Sequence, residues 1–328
     1  MAGICWQSQS LSPSTDLTAK VMPPRCTKKV LNGFEIHTLA NDRIALSMVP
    51  ELGGRLVSLK DRATGREWLD GWSPAAKRRL WHPTDPQDYE TGPGAGIDEC
   101  LPTVLACEVK RKALGDHGEL WNRAPAFDQE LASKGVLVCS WNLTSLPLNF
   151  ERHVSIAKNQ VRFDYRIENR ADVATPFLWA WHPLFSWKPG DKICPAKSIQ
   201  TCLTPDGEVM PWPLDSMGND LSKARFVKGA TPAAKIFLGP LGKGRVAIRA
   251  KNGSSLELSW PASLFPYAGV WITRGFWKGL HHWAIEPTNA AVDCLSDVAV
   301  TDAPAPCLLA AREVRRWSLS IRMATNEQ

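Results

Sequence analysis

"NFERHVSIAKNQVRFDYRIEN", residues 149–169, holds two runs rich in aromatic and β-branched residues on either side of Lys158-Asn159-Gln160. Apolar residues recur largely at every second position in both runs, the period of a half-buried strand, and the polar centre supplies turn chemistry. The stretch predicts an antiparallel hairpin. Three more pairs follow the same pattern: FEIHTLA (34–40) and RIALSMV (43–49) around Asn41-Asp42, RLVSLK (55–60) and REWL (66–69) around DRATG, and RVAIRA (245–250) and SLELSW (255–260) around an Asn-Gly. Adjacent strands joined by such turns make an antiparallel meander.

Helical periodicity is nearly missing, with APAFDQELASK (124–134) and NAAVDCLSD (289–297) as the short candidates, and VRRWSLSIRM (314–323) reads as the last strand. Turn signals every 8 to 15 residues with no βαβ alternation predict an all-β chain, a large antiparallel two-sheet β-sandwich. An N-terminal arm, residues 1–25, rich in Ser, Pro and Thr, precedes a single domain over 26–328. Two segments, 70–103 and 202–232, break the strand rhythm and read as long loops over a site or on the surface.

The 328 residues are 44% hydrophobic, enough for a large core, and carry a net charge of +6 with Lys and Arg mixed among Asp and Glu. No basic run marks a nucleic-acid face. No stretch approaches the roughly 18 apolar residues of a membrane span, and the first twenty residues lack a secretory pattern. Nine cysteines without a CxxC give neither zinc-ligand spacing nor a disulfide framework, so the expected setting is the cytoplasm, with no metal.

Chemistry-bearing residues gather at strand ends and loops. DHGELWNR (116–123) brings Asp116, His117, Glu119, Trp121 and Arg123 into one segment bounded by Gly and Pro. FLWAWHPLFSWKPGD (177–191) places His182 among tryptophans and directly before Pro183, at a rim. HHWAIEPTNAAVD (281–293) ends an alternating strand on Glu286, again before a proline. His281 and His282 are adjacent, point to opposite faces of a strand and so do not share a metal. GAGIDECLPT (94–103) lets backbone approach a ligand and offers Asp98 or Glu99 as a hydroxyl acceptor; it lacks the ending of a phosphate loop. Aromatic faces beside a rim polar group commonly receive the apolar faces of sugar rings, and Trp121 and Trp181, which flank these polar residues, are the rings expected to stack on a ligand.

The order GGRLVSL (53–59), DHGELWNR, WHPLFSW (181–187) and IEP (285–287) followed by Asp293 resembles the aldose 1-epimerase, or galactose mutarotase-like, family from about Phe34 to Met323. The resemblance implies a β-supersandwich whose concave face receives a sugar or sugar derivative. It makes His182 the general acid at the ring oxygen and Glu286 the general base at the anomeric hydroxyl. It also implies that His117 holds a sugar oxygen. Ring opening by acid and base needs no cofactor. The family's early "FGR…NR" signature is not matched clearly, and the DHGELWNR form is closer to hexose-phosphate-like branches. Arg123, and more loosely Arg55 and Arg78, would then grip an anionic group. The expected function is an aldose 1-epimerase, acting as a monomer or homodimer. The alternatives are a hexose-phosphate 1-epimerase, a non-catalytic carbohydrate-binding or sugar-sensing protein, and a sugar lyase or hydrolase. The last is disfavoured by the lack of a second persuasive carboxylate.

Overall fold

The computed structural model describes residues 24–69, 80–215, 217–225, 233–298 and 305–324. The 149–169 stretch forms the expected hairpin: strands Leu148–Ala157 and Gln160–Asn169 pair antiparallel, with Val154 opposite Phe163 and Lys158 taking a left-handed φ of 51° in the turn. These two strands lie in an antiparallel eight-stranded sheet. Its order is Lys192–Pro195, Gly244–Arg249, Ser255–Trp260, Val314–Ala324, Gln160–Asn169, Leu148–Ala157, Leu137–Asn142 and Ala126–Phe127.

An eleven-stranded antiparallel sheet faces it. Arg25–Leu31, Phe34–Ala40, Ile44–Val49, Arg55–Asp61 and Ile97–Cys100 lead to a centre made of Ala180–Ser186 and His281–Thr288. Tyr267–Arg274, Ala233–Leu238, Thr201–Leu203 and Val209–Pro211 complete it. The chain is an all-β sandwich. Of the expected arm, only Pro24 and Arg25 are among the described residues, and Arg25 already opens an edge strand.

Some expectations change. REWL contributes isolated bridges, Lys60 to Glu67 and Leu69 to Phe185, instead of a strand. The first helix candidate shrinks to Gln129–Ser133, capped by Asp128, whose side chain accepts the Leu131 N–H. The second gives a single 3-10 turn, Leu295–Asp297. Its apolar residues Ala290 and Leu295 dock into a satellite cluster with Cys100 and Val104, and the Asp293 carbonyl accepts the Val104 and Leu105 N–H groups, which holds the chain irregular. Within 70–103, residues 97–100 are a strand rather than loop. All four are buried, so its two faces do not alternate in polarity as a half-buried strand would.

Between the sheets, alternate residues of each strand meet. Trp181, Phe185, Trp283 and Ile285 from the larger sheet, with Trp179 just before its strand Ala180–Ser186, pack on Phe150, Phe163, Tyr165, Trp317 and Leu319 from the smaller one. Trp179 lies 5.2 Å from Trp317 ring to ring, and Trp181 lies 5.4 Å from Phe163. Each such ring contributes about 1.5–3 kcal/mol by leaving water. Trp181 is therefore core, a correction to its expected stacking role.

Glu99 is a second correction. It points into this core, where Tyr165 Oη donates to its Oε1 at 2.9 Å, Trp179 Nε1 donates to Oε2 at 3.0 Å, and the buried Arg152 guanidinium stands 3.4 Å away. Burial outweighs Arg152 and pushes the Glu99 carboxyl up to about 7. The sign of the linkage follows. Between about 4.5 and 7 the folded chain keeps a proton that the unfolded chain has lost, so stability falls as pH rises through that window. Urea denaturation of wild type beside Glu99→Gln from pH 5 to 8 is expected to show wild type losing ground up to about pH 7 and levelling off above it. A stability difference that stays flat would show that Glu99 does not titrate there.

Candidate functional site

The larger sheet's other face, turned away from the core, forms the floor of a cavity of about 390 Å³ lined by His117, His182, Lys235, Glu286, Trp271 and Trp277 among others. Strand alternation puts these groups there. Trp181 points into the core and its neighbour His182 points out. Ile285 points in and Glu286 out, and Ile236 points in beside an outward Lys235.

His182 sits opposite Asp98 across the strand pair, and its Nδ1 is 2.9 Å from Asp98 Oδ1. The other carboxylate oxygen forms an ion pair with Arg55 at 2.6 Å, and Arg55 also donates to the Ala95 carbonyl at 2.7 Å. Burial alone would raise the Asp98 carboxyl. Arg55 and His182 outweigh it and hold the group well below the usual carboxylate range. An ionised Asp98 accepts the Nδ1–H, which leaves Nε2 as the ring nitrogen that can exchange a proton with a ligand. Asp98 thus stands beneath His182 instead of reaching a ligand itself. Arg55 is equally buried, so neither it nor Asp98 is a direct ligand group.

The DHGELWNR segment divides its residues between two jobs. His117 has φ 59° and Gly118 φ 71°; a Cβ on Gly118 would lie 2.0 Å from the Leu101 carbonyl oxygen, so the turn demands glycine. That turn stacks the His117 ring on Tyr89 at 3.8 Å and brings it within 4.8 Å of the His182 ring. Asp116 Oδ1 is 2.9 Å from His117 Nδ1 and orients it.

The remaining residues of the segment do not reach the cavity. Trp121 is buried behind Tyr89, its Nε1 donating to the Asp116 carbonyl at 2.9 Å, where it props the wall and offers no ring face. Arg123 pairs with Glu119 at 2.5 Å, and Glu119 also accepts the Thr144 and Ser145 N–H groups. That cleft is separate from the cavity. Arg78 lies outside the described residues.

Glu286 is buried, with Lys235 Nζ 2.6 Å from its Oε2 and its Oε1 accepting no hydrogen bond among the described residues. Lys235 also stands 3.4 Å from Asp293 Oδ1. Burial raises the Glu286 carboxyl, but Lys235 and His182 more than reverse it. Lys235, Tyr89, Trp271 and Trp277 were not singled out from the sequence. The available signal for Lys235 was one lysine at an outward position of the apolar run AAKIFL.

A metal would draw on Cys100, His117 and His182, each offering one ligand atom within 4.8 Å of the others. Burial pushes the Cys100 thiol well above its ordinary range, which favours the neutral thiol in the cavity as it stands.

No family model matches the chain, and no curated protein matches it in sequence. Solved structures match its fold. A galactose mutarotase-like protein from Lactobacillus casei superposes with a TM-score of 0.63 at 15% identity, covering 88% of this chain and 100% of that one. A protein from Klebsiella pneumoniae provisionally named an aldose 1-epimerase gives 0.69 at 12% identity over 92% of this chain and 83% of its own. A galactose mutarotase related enzyme from Lactobacillus acidophilus gives 0.62 at 16% identity over 89% and 99%. The chain has the galactose mutarotase-like fold.

Arg55→Met is expected to destabilise the protein by about 3–5 kcal/mol, because it strands the Asp98 charge in the interior. Asp98→Asn added to it should recover part of that loss. Urea unfolding of the two single variants and the double checks this, and strict additivity would show that the pair does not interact.

Proposed function

We propose that the chain is an aldose 1-epimerase that interconverts the α and β anomers of an aldose. The observation that carries this reading is one cavity lined by a carboxylate-oriented imidazole, His182, and by a buried carboxylate with an unpartnered oxygen, Glu286. In the proposed reaction Glu286 Oε1 takes the proton from the anomeric hydroxyl while His182 Nε2 gives a proton to the ring oxygen. The bond from C1 to the ring oxygen breaks and C1 becomes an aldehyde carbon. After rotation about C1–C2, His182 recovers its proton from the C5-side hydroxyl as that oxygen attacks C1, and Glu286 returns its proton to O1. Each positioned group contributes roughly 10²–10⁴-fold.

His117 suits a neighbouring hydroxyl. Trp271, Phe276 and Trp277 supply apolar walls for the sugar's faces. The substrate is neutral in this reading, since of the candidate arginines among the described residues Arg123 is held by Glu119 in a different cleft and Arg55 lies under Asp98. The eight described cysteines are all free, in keeping with a cytoplasmic setting. Among the described residues no helix is long and apolar enough to cross a membrane.

A second reading rests on Lys235. An ammonium 2.6 Å from Glu286 weakens the carboxylate as a base, which would suit a non-catalytic sugar-binding or sensing protein on this fold.

Anomer exchange followed by NMR on a panel of free and phosphorylated aldoses separates the readings. Wild type is expected to accelerate exchange of at least one neutral aldose. His182→Asn and Glu286→Gln should each lower that rate about 100-fold or more, while Arg123→Ala should stay within about twofold. Saturable sugar binding with no acceleration would reject catalysis and select the sensing role.

A further inference from the structure

Lys235 reaches Glu286 across an intervening strand. Lys235 lies on Ala233–Leu238 and Glu286 on His281–Thr288, with Tyr267–Arg274 between them. A direct contact over two strand spacings is possible because residue 269, opposite Glu286 on the middle strand, is glycine. A Cβ there would stand 3.0 Å from Glu286 Oε2 and 3.3 Å from Lys235 Nζ, inside the space that the ion pair occupies. The backbone at Gly269 is not in the left-handed region, so its missing side chain is a matter of room rather than conformation.

The arrangement has one cation and two anions. Lys235 Nζ lies 2.6 Å from Glu286 Oε2 and 3.4 Å from Asp293 Oδ1, and all three side chains are at least largely buried. Glu286 uses one oxygen on the ammonium and keeps the other, Oε1, unpartnered. When Glu286 accepts a proton, its hold on the ammonium weakens, and a buried ammonium left without an anion is costly. Asp293 stands within reach to take over that pairing.

We propose that Lys235 is a positioning residue for Glu286: it fixes Oε2 so that Oε1 alone meets the ligand, and it passes to Asp293 when Glu286 is protonated. This rests on the epimerase reading for its catalytic meaning, while the pairing itself can be tested without turnover. The charged and titratable groups that face Glu286 are Lys235, His182, His117, Asp293 and the Cys100 thiol, with His282 on its own strand lining the same cavity. Removing Lys235 therefore leaves Glu286 and Asp293 as neighbouring like charges, which favours the protonated form of one of them.

The test uses the full chain labelled with ¹³C at glutamate carboxyls, the Glu286 signal being assigned by its loss in Glu286→Gln. In Lys235→Met the Glu286 titration midpoint is expected to rise by about one pH unit or more, and in Lys235→Arg to stay near wild type. The acidic limb of kcat/KM should move upward with the midpoint in Lys235→Met, with kcat down about 10–100-fold and partly restored in Lys235→Arg. Asp293→Asn, which retains the clamp and removes the second anion, should lower kcat about tenfold or more. An unmoved Glu286 midpoint in folded Lys235→Met would overturn the clamp, and wild-type kcat in Asp293→Asn would overturn the transfer. Lack of mutarotation by wild type on every sugar would reject the epimerase reading instead, and the carboxyl titration would still decide the pairing.

Discussion

The four-residue strand Ile97–Cys100 carries two adjacent carboxylates to opposite faces of the larger sheet, and each must be compensated where it lands. Asp98 goes to the cavity side and meets Arg55 and His182; Glu99 goes to the core and meets Arg152, Tyr165 and Trp179. A buried carboxylate without such partners would cost several kcal/mol, so the strand can occupy the sheet's interior only if both arginines are in place. This requirement links the site to the fold. Arg55 comes from the start of the neighbouring strand, and Arg152 comes from the opposite sheet. The sandwich must close before Glu99 meets Arg152 and Tyr165, whereas Asp98 finds Arg55 within its own sheet. His182 takes its orientation within that same sheet, because it lies directly across the strand pair from Asp98.

The hairpins were legible because a two-residue period exposes one face to the core and the other to solvent, as at 148–169. The central strand Ile97–Cys100 was not. A strand buried on both faces has no such contrast, and Asp98-Glu99 in a glycine-rich approach looks like a loop. His182 and Glu286 stood out through the prolines that follow them, but neither proline ends its strand, which runs on to Ser186 and Thr288; the choice between cavity and core for Trp121, Trp181 and Glu99 depends on which face each residue takes. A one-residue difference in register reverses that choice. Arg123 illustrates a different limit: its neighbour Glu119 is four residues away, but the anchors that hold Glu119, Thr144 and Ser145, are distant in sequence. Lys235 needed three strands in register and a glycine in the middle one before its contact with Glu286 existed.

On the proposed epimerase reading, the paired carboxylates around Lys235 also bear on the chemistry that a ring-opening site must avoid. An opened aldose presents an aldehyde carbon, and a neutral amine beside it would add to that carbon and lose water to give an imine. Burial lowers an amine's proton affinity and would push a lone lysine toward the reactive neutral form. In this cavity burial acts on Lys235 in that direction, but Glu286 and Asp293 outweigh it and hold the ammonium well above its ordinary range. A protonated amine has no lone pair with which to attack. In the proposed epimerase, the same two anions that would let Lys235 position the base would also keep it inert toward the open-chain sugar. On that reading a lysine stands beside the anomeric carbon without capturing it only while at least one of the two carboxylates remains charged.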